Sequence, residues 1–126
     1  MIRQELGKVG DPYLVRYVLD FGLFSIRLHH WRHSDDLRHK HDHAWNFLIF
    51  ILYGSYLDIS DSGEEYCHFG MVKYRKATHQ HSVKLISKNC WTLLLCSKEF
   101  RKWGFYVNGK FRKRNKYFYE YGPHQD

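Results

Sequence analysis

Six of the ten histidines lie between His29 and His43, and the run closes in His39-Lys40-His41-Asp42-His43-Ala44-Trp45. Side chains at every second position share one side of an extended chain, so His39, His41 and His43 point the same way in a strand. Neutral imidazoles grouped in this manner suit zinc, iron, copper or nickel, and a ligand from a neighbouring strand completes such a set. His79 and His81 repeat the spacing further along the chain. The competing reading is that these histidines satisfy local hydrogen bonds or face water. A lone histidine fits it, and three brought together by two strands fit a metal better.

Charge supplies a second candidate chemistry. The net charge of +7 lies entirely within residues 98–116, which hold eight Lys or Arg and the single acid Glu99. Elsewhere bases and acids cancel, so anion attraction is local. Lys110, Arg112, Lys113, Arg114 and Lys116 form a candidate anion-binding patch. Phe100, Trp103, Phe105, Tyr106 and Phe111 are interleaved with these bases, a combination that nucleic-acid binders use for phosphate attraction and base stacking. A hairpin with its aromatics inward and its charges solvated explains the same residues. Cys67, Cys90 and Cys96 are odd in number and match no metal clip, so they read as reduced core residues.

Strands must position these groups. Aromatic residues make up 18% of the chain and prolines number two, a composition that favours strands. Strand-like runs cover residues 13–19, 23–31, 45–53, 56–59, 71–74, 81–86, 90–96 and 103–107, with turn residues between them. The run 45–53 is nearly continuously apolar, as expected of a strand buried on both faces. Asn108-Gly109 is the strongest hairpin signal, because both central residues of a type I′ turn need positive φ. No segment longer than about two helical turns has a 3.6-residue period. The expectation is one domain over residues 1–126, with a basic aromatic C-terminal segment at about 98–126. No leader is expected at the charged N-terminus, and the longest uncharged apolar run, residues 44–57, is shorter than the ~20 residues of a membrane-spanning helix. A cytoplasmic protein with no membrane partner is expected.

The order of these pieces resembles the cupin superfamily. Its first motif is His-x-His, three or four residues, Glu, six residues and Gly; here His41-Asp42-His43 is followed by three residues, Phe47 in the Glu position, six residues and Gly54. Asp35 stands where a glycine often precedes the motif. The second motif is matched in its intervals by Gly70 and His81, with Lys76, Thr78 and Leu85 replacing its Pro, Gly and Asn. Residues 28–47 also resemble uncharacterised small cupin-like proteins of phages and bacteria, which read His-x-His-x-Trp-x-Phe at the metal strand and carry a Trp-Gly-Phe like Trp103-Gly104-Phe105. The resemblance spans roughly residues 24–107.

It implies an all-β fold, a single jelly-roll cupin barrel of the double-stranded β-helix type. It further implies one divalent transition metal, Fe(II) or Zn(II), held by His41, His43 and His81, with His39 and His79 in second rank. Arg27 and Arg75 are the candidates for pairing a ligand carboxylate or phosphate. The expected function is metal-dependent catalysis on a small anionic substrate, by dioxygenase-type oxidation or Lewis-acid chemistry. One alternative is a non-catalytic cupin that sequesters a nucleotide-like anionic ligand. Another is a nucleic-acid-binding module using residues 98–116. Cupin barrels often pair as homodimers, and a phage-encoded relative would work in the host cytoplasm. His29, His30, His33 and Asp42 are assigned ordinary surface roles.

Overall fold

The computed structural model describes residues 1–35 and 37–121. Eleven strands and one helix are found among them: β1 (Ile2–Lys8), β2 (Asp11–Asp20), β3 (Phe24–Trp31), β4 (Phe47–Tyr53), β5 (Ser55–Ser60), β6 (Gly63–His68), β7 (Val72–Arg75), β8 (Ser82–Leu85), β9 (Cys90–Ser97), β10 (Gly104–Val107), β11 (Lys110–Lys113) and α1 (Arg114–Tyr121). β1 and β6 were not expected. β1 is almost wholly exposed, and β6 begins in the glycine of the turn that precedes it, so neither shows a clean apolar alternation.

The strands form a six-stranded sheet in the order β1-β2-β3-β9-β4-β7, a three-stranded sheet β6-β5-β8 and the hairpin β10-β11. Every pairing is antiparallel. The two larger sheets enclose one core. Leu14, Trp31, Phe47, Ile49, Ile51 and Leu94 enter it from the six-stranded sheet, and Tyr56, Cys67 and Val83 from the three-stranded one. This is the expected all-β jelly roll, although the sheets do not join into a hydrogen-bonded closed barrel.

β4 corrects the expectation of a strand buried on both faces. Phe47, Ile49 and Ile51 are buried, while Leu48 and Phe50 are half-buried and Leu52 is exposed. The other face of β4 lies on the outside of the sheet, where Leu48 and Phe50 stand opposite Leu95 and Leu93 of β9. The Asn108-Gly109 hairpin forms as its sequence requires, with φ of 52° and 77°. At the other end of the chain, Gly22 donates its N–H to Asp20 Oδ1 at 2.8 Å and closes the β2–β3 turn.

The histidine run is not a strand. His41 makes only isolated bridges, to His81 and to Phe105. Its backbone exchanges two hydrogen bonds of 2.9 Å with His81, Asp42 N–H donates to Gly104 C=O, and His43 N–H donates to Ala77 C=O. Residues 41–43 are therefore an extended rail stitched to residues 77–81 on one side and to Gly104 on the other.

Candidate metal centre

The rail and the start of β8 bring His41, His43 and His81 together. One nitrogen from each lies within 4.8 Å of the others. The backbone bridge sets His41 opposite His81, and alternation along the rail returns His43 to the same side. His81 is buried and the other two are half-buried. Phe47, in the place of the motif carboxylate, packs edge-on against His43 with ring centroids 4.9 Å apart. It contributes an apolar wall and no ligand.

One carboxylate is hydrogen-bonded to a ring of the cluster and a second lies near another. His81 Nδ1 is 3.0 Å from Asp58 Oδ2, and His41 Nδ1 is 3.4 Å from Asp35 Oδ2. A carboxylate only accepts, so His81 carries its proton on Nδ1 and, when neutral, offers the Nε2 lone pair to the cluster. Burial pushes the His41 and His43 imidazoles well below the usual histidine value, and the neighbouring His81 pushes the same way. His81 is also lowered by burial, although its bond to Asp58 opposes the shift. Burial alone would raise the Asp58 carboxyl, but hydrogen bonds from His79 and His81 outweigh it and hold Asp58 below the usual carboxylate range.

His43 tests whether this set suits a cation. Its Nε2 stands 3.1 Å from His81 Nε2, and its Nδ1 is buried with no hydrogen-bond partner. A proton on Nε2 serves His81 and strands Nδ1 as a bare acceptor. A proton on Nδ1 finds no acceptor and sets two lone pairs against each other. With His43 protonated on Nδ1, a metal ion accepts the two facing Nε2 lone pairs at once and removes their repulsion. The residues fit a metal.

The remaining site candidates are placed differently. His39 leaves the cluster: its Nδ1 is 2.9 Å from Tyr117 Oη, and its ring packs against Tyr117 and Tyr121. The cause is the non-strand backbone, which removes the strict alternation that would align His39 with His41. His79 Nε2 bonds Asp58 Oδ1 at 3.0 Å, behind His81. Asp58, His79 and His81 form a second group of ligand atoms within 4.8 Å. Arg75 is not an open anion receptor, because it pairs with Asp58 at 3.5 Å and, more closely, with Glu65. Arg27 lies over the Trp45 ring, 4.9 Å from its centroid, and bonds Ser25 Oγ at 3.1 Å.

In the basic segment Lys110, Lys113, Arg114 and Lys116 are exposed, while Arg112 is half-buried and reaches Glu120 at 3.7 Å. Arg114 lies over Trp103. Phe105 is buried and Tyr117 stacks on it, so these aromatics serve packing. Residues 122–126 of the C-terminal segment lie outside the described residues. Cys67, Cys90 and Cys96 are free and buried. Burial pushes the Cys90 thiol up to about 12 and the Cys96 thiol to about 11, which keeps both protonated and poor nucleophiles.

Four residues of the site have no place in the histidine spacing. Asp58 was hidden in an ordinary strand and Asp35 in the slot of an absent glycine. Asp35 Oδ1 also accepts from Val83 N–H at 2.9 Å, which ties the loop to β8. Asp42 and His29 overturn the expectation of surface roles, being 1% and 6% exposed. Asp42 faces away from the histidines into a buried cage, accepting from Gly104 N–H at 2.9 Å and Tyr106 O–H at 2.8 Å, with Arg101 at 3.0 Å. The signal for His29 was the parity of β3, where Ser25, Arg27 and His29 alternate with Ile26 and Leu28.

A cavity of about 150 Å³ opens beside the cluster. The three histidines stand in its wall with Trp45, Trp103 and Phe105, and Arg16, Arg27 and His29 form another part of the same wall. Such a pocket, apolar with a few convergent polar groups, has the character of a small-molecule site.

No protein-family model matches the chain, and no curated protein matches it in sequence. Solved structures are similar in fold. The polyketide cyclase RemF from Streptomyces resistomycificus superposes with a TM-score of 0.65 at 17% identity, over 86% of this chain and 79% of that one. A cupin domain from Bordetella pertussis gives 0.56 at 15% identity, over 69% and 95%. Fe(II) HppE gives 0.60 at 15% identity, over 75% of this chain and 56% of that one. No helix among the described residues is long and apolar enough to cross a membrane.

Proposed function

We propose that this chain, which has the cupin double-stranded β-helix fold, is a metal-dependent enzyme acting on a small anionic substrate, with His41, His43 and His81 holding one divalent transition metal. Three buried or half-buried imidazoles within 4.8 Å, one of them hydrogen-bonded to a carboxylate, carry this reading. Fe(II) and Zn(II) are the candidates, since a three-histidine set with open positions suits both. When bound, the metal supplies either activation of O₂ for a dioxygenase-type oxidation or Lewis-acid polarisation of a carbonyl or phosphoryl oxygen.

The protein's own residues set the conditions for that chemistry. Asp58 orients the His81 ring and fixes its tautomer, and Asp35 places a carboxylate 3.4 Å from His41 Nδ1. Burial keeps the imidazoles unprotonated at neutral pH and therefore able to bind a cation. Phe47, Trp45, Trp103 and Phe105 give the cavity an apolar wall next to the histidines. Similarity in fold to Fe(II) HppE is consistent with iron.

Metal analysis of protein purified without a histidine tag tests the reading. Near-stoichiometric metal is expected in the wild type, with a sharp fall in His41→Ala and His81→Ala. Full retention of metal in both variants overturns it. Recovery of a bound ligand unchanged, after long incubation with metal and O₂, would indicate sequestration in place of turnover.

A further inference from the structure

Between Ser25 and His29, β3 is built inside out. Ser25, Arg27 and His29 face inward, while Ile26 and Leu28 face outward, the reverse of the pattern that buries apolar side chains. Register extends the inversion across three strands: Arg16 of β2 stands opposite His29, and His29 stands opposite Thr92 of β9. A polar row across the inward face of a sheet costs folding free energy, and such local violations concentrate at functional sites.

The row is also incompletely satisfied. His29 Nε2 and Thr92 Oγ1 are buried without hydrogen-bond partners. Arg16 Nε bonds the neutral amide of Gln4 at 2.6 Å, and Arg27 Nε bonds the neutral hydroxyl of Ser25. Neither guanidinium forms an ion pair among the described residues. The acids of the cavity wall are placed elsewhere, Asp35 accepting from Val83 N–H beside His41, Asp58 held by Arg75 and the histidines, and Asp42 by Arg101. Glu99, the exposed acid of that wall, pairs with neither arginine. Two cationic groups and a buried imidazole thus converge on one part of the cavity with no anion among the described residues to balance them. Their proximity is felt at His29, which burial first, and then Arg16 and Arg27, push down to about 3.

We propose that Arg16, Arg27 and His29 form a carboxylate-binding subsite in the wall of this cavity, and that the ligand is a small, compact organic acid. The carboxylate takes charge-assisted hydrogen bonds from the two guanidinium groups and one from the neutral imidazole of His29. Trp45 sets the spacing, lying 5.7 Å from His43 on one side and 4.9 Å beneath Arg27 on the other. The rest of the ligand then lies along this indole and reaches the three histidines. A volume of about 150 Å³ limits it to roughly the size of a six-membered ring with its acid group. Arg75 is excluded from this role by its two carboxylate partners.

This inference rests on the metal reading for the fate of the ligand, but not for its binding, and the test separates the two. Benzoate and its neutral isostere benzamide are titrated by calorimetry into chelator-treated wild-type protein and into Arg16→Gln and Arg27→Gln. Wild-type protein is expected to prefer benzoate, and each variant to lose about tenfold or more in benzoate affinity while benzamide is unaffected. Both variants are expected to melt at or above the wild-type temperature in the absence of benzoate, because each relieves a like-charge contact, so misfolding is visible separately. Equal affinity for the two probes, unchanged benzoate affinity in both variants, or no benzoate binding at ~10 mM in the wild type overturns the subsite. Metal content measured on each protein as purified, before chelator treatment, reports on the histidine site alone: benzoate binding by a protein that carries no metal as purified retains the subsite and removes the metal reading, and the converse removes the subsite only.

Discussion

His43 and His81, 38 positions apart in the chain, face each other nitrogen to nitrogen, Nε2 to Nε2 at 3.1 Å. Two neutral imidazoles in that relation need a proton or a cation to share. His81 has committed its proton to Asp58, so its Nε2 offers a lone pair, and His43 Nδ1 is buried without a hydrogen-bond partner.

Asp58 should therefore matter to the metal without touching it. Asp58→Asn keeps the shape but removes the charge that holds His81 in its tautomer. Metal affinity is expected to fall by about 10–100-fold. Competition with a chromophoric chelator measures it, and unchanged affinity would remove Asp58 from this role.

His39 separates the spacing of the sequence from the geometry of the fold. His39→Ala is expected to keep its full metal content. Loss of the bond to Tyr117 should cost about 1 kcal/mol of stability, read from urea unfolding. Metal loss in this variant would return His39 to the ligand set.

Acid should destabilise the ligand-free protein through His29. Its folded value of about 3 lies below the ordinary 6.5, so the unfolded chain binds the extra proton between these limits. Stability contributed by the neutral ring is complete above about pH 6.5 and is lost at up to ~1.4 kcal/mol per pH unit as pH falls toward 3. His29→Gln should show a shallower slope of unfolding free energy over that window. An identical slope would mean that His29 is protonated in the folded protein.

Asp42 anchors the C-terminal hairpin to the histidine rail, and its carboxylate is buried completely. Asp42→Ala strands Gly104 N–H and the Tyr106 hydroxyl and leaves Arg101 without its anion. A loss of ~2–4 kcal/mol is expected in denaturant unfolding, against ~1 kcal/mol for Tyr106→Phe. Equal small effects would show that the cage contributes little.

Gly54 is required for its conformation and for its lack of a side chain. Its φ is +84°, and a Cβ there would stand 2.3 Å from Asn89 C=O and 3.0 Å from Cys90 Cα. Gly54→Ala is expected to cost about 3 kcal/mol or to prevent folding. Gly10→Ala, at the same φ but facing open space, should cost about 1 kcal/mol.

Much of this molecule is legible in its residues. Strand content follows from composition, the Asn108-Gly109 hairpin from its turn chemistry, and the jelly roll from the motif intervals ending at Gly54 and starting at Gly70. The same intervals singled out His41, His43 and His81, which the fold does bring together. Asp58 stayed hidden because an aspartate on a strand is read as a solvated residue until its burial is known. Arg16 stayed hidden because its meaning depends on lying opposite His29. Parity in β3 was visible, but parity does not say which side faces inward.

The sequence by itself determined local matters: where the chain turns, where it extends, and which side chains alternate. These depend on neighbours one to four positions apart, and the residues there are adjacent whatever the fold. Only the tertiary structure decided that His39 leaves the cluster for Tyr117, that Arg75 is already paired, and that Arg16, Arg27 and His29 share a cavity with the three histidines. Those relations join residues across sheets, and their energies depend on burial and on distance in space, which spacing along the chain does not encode.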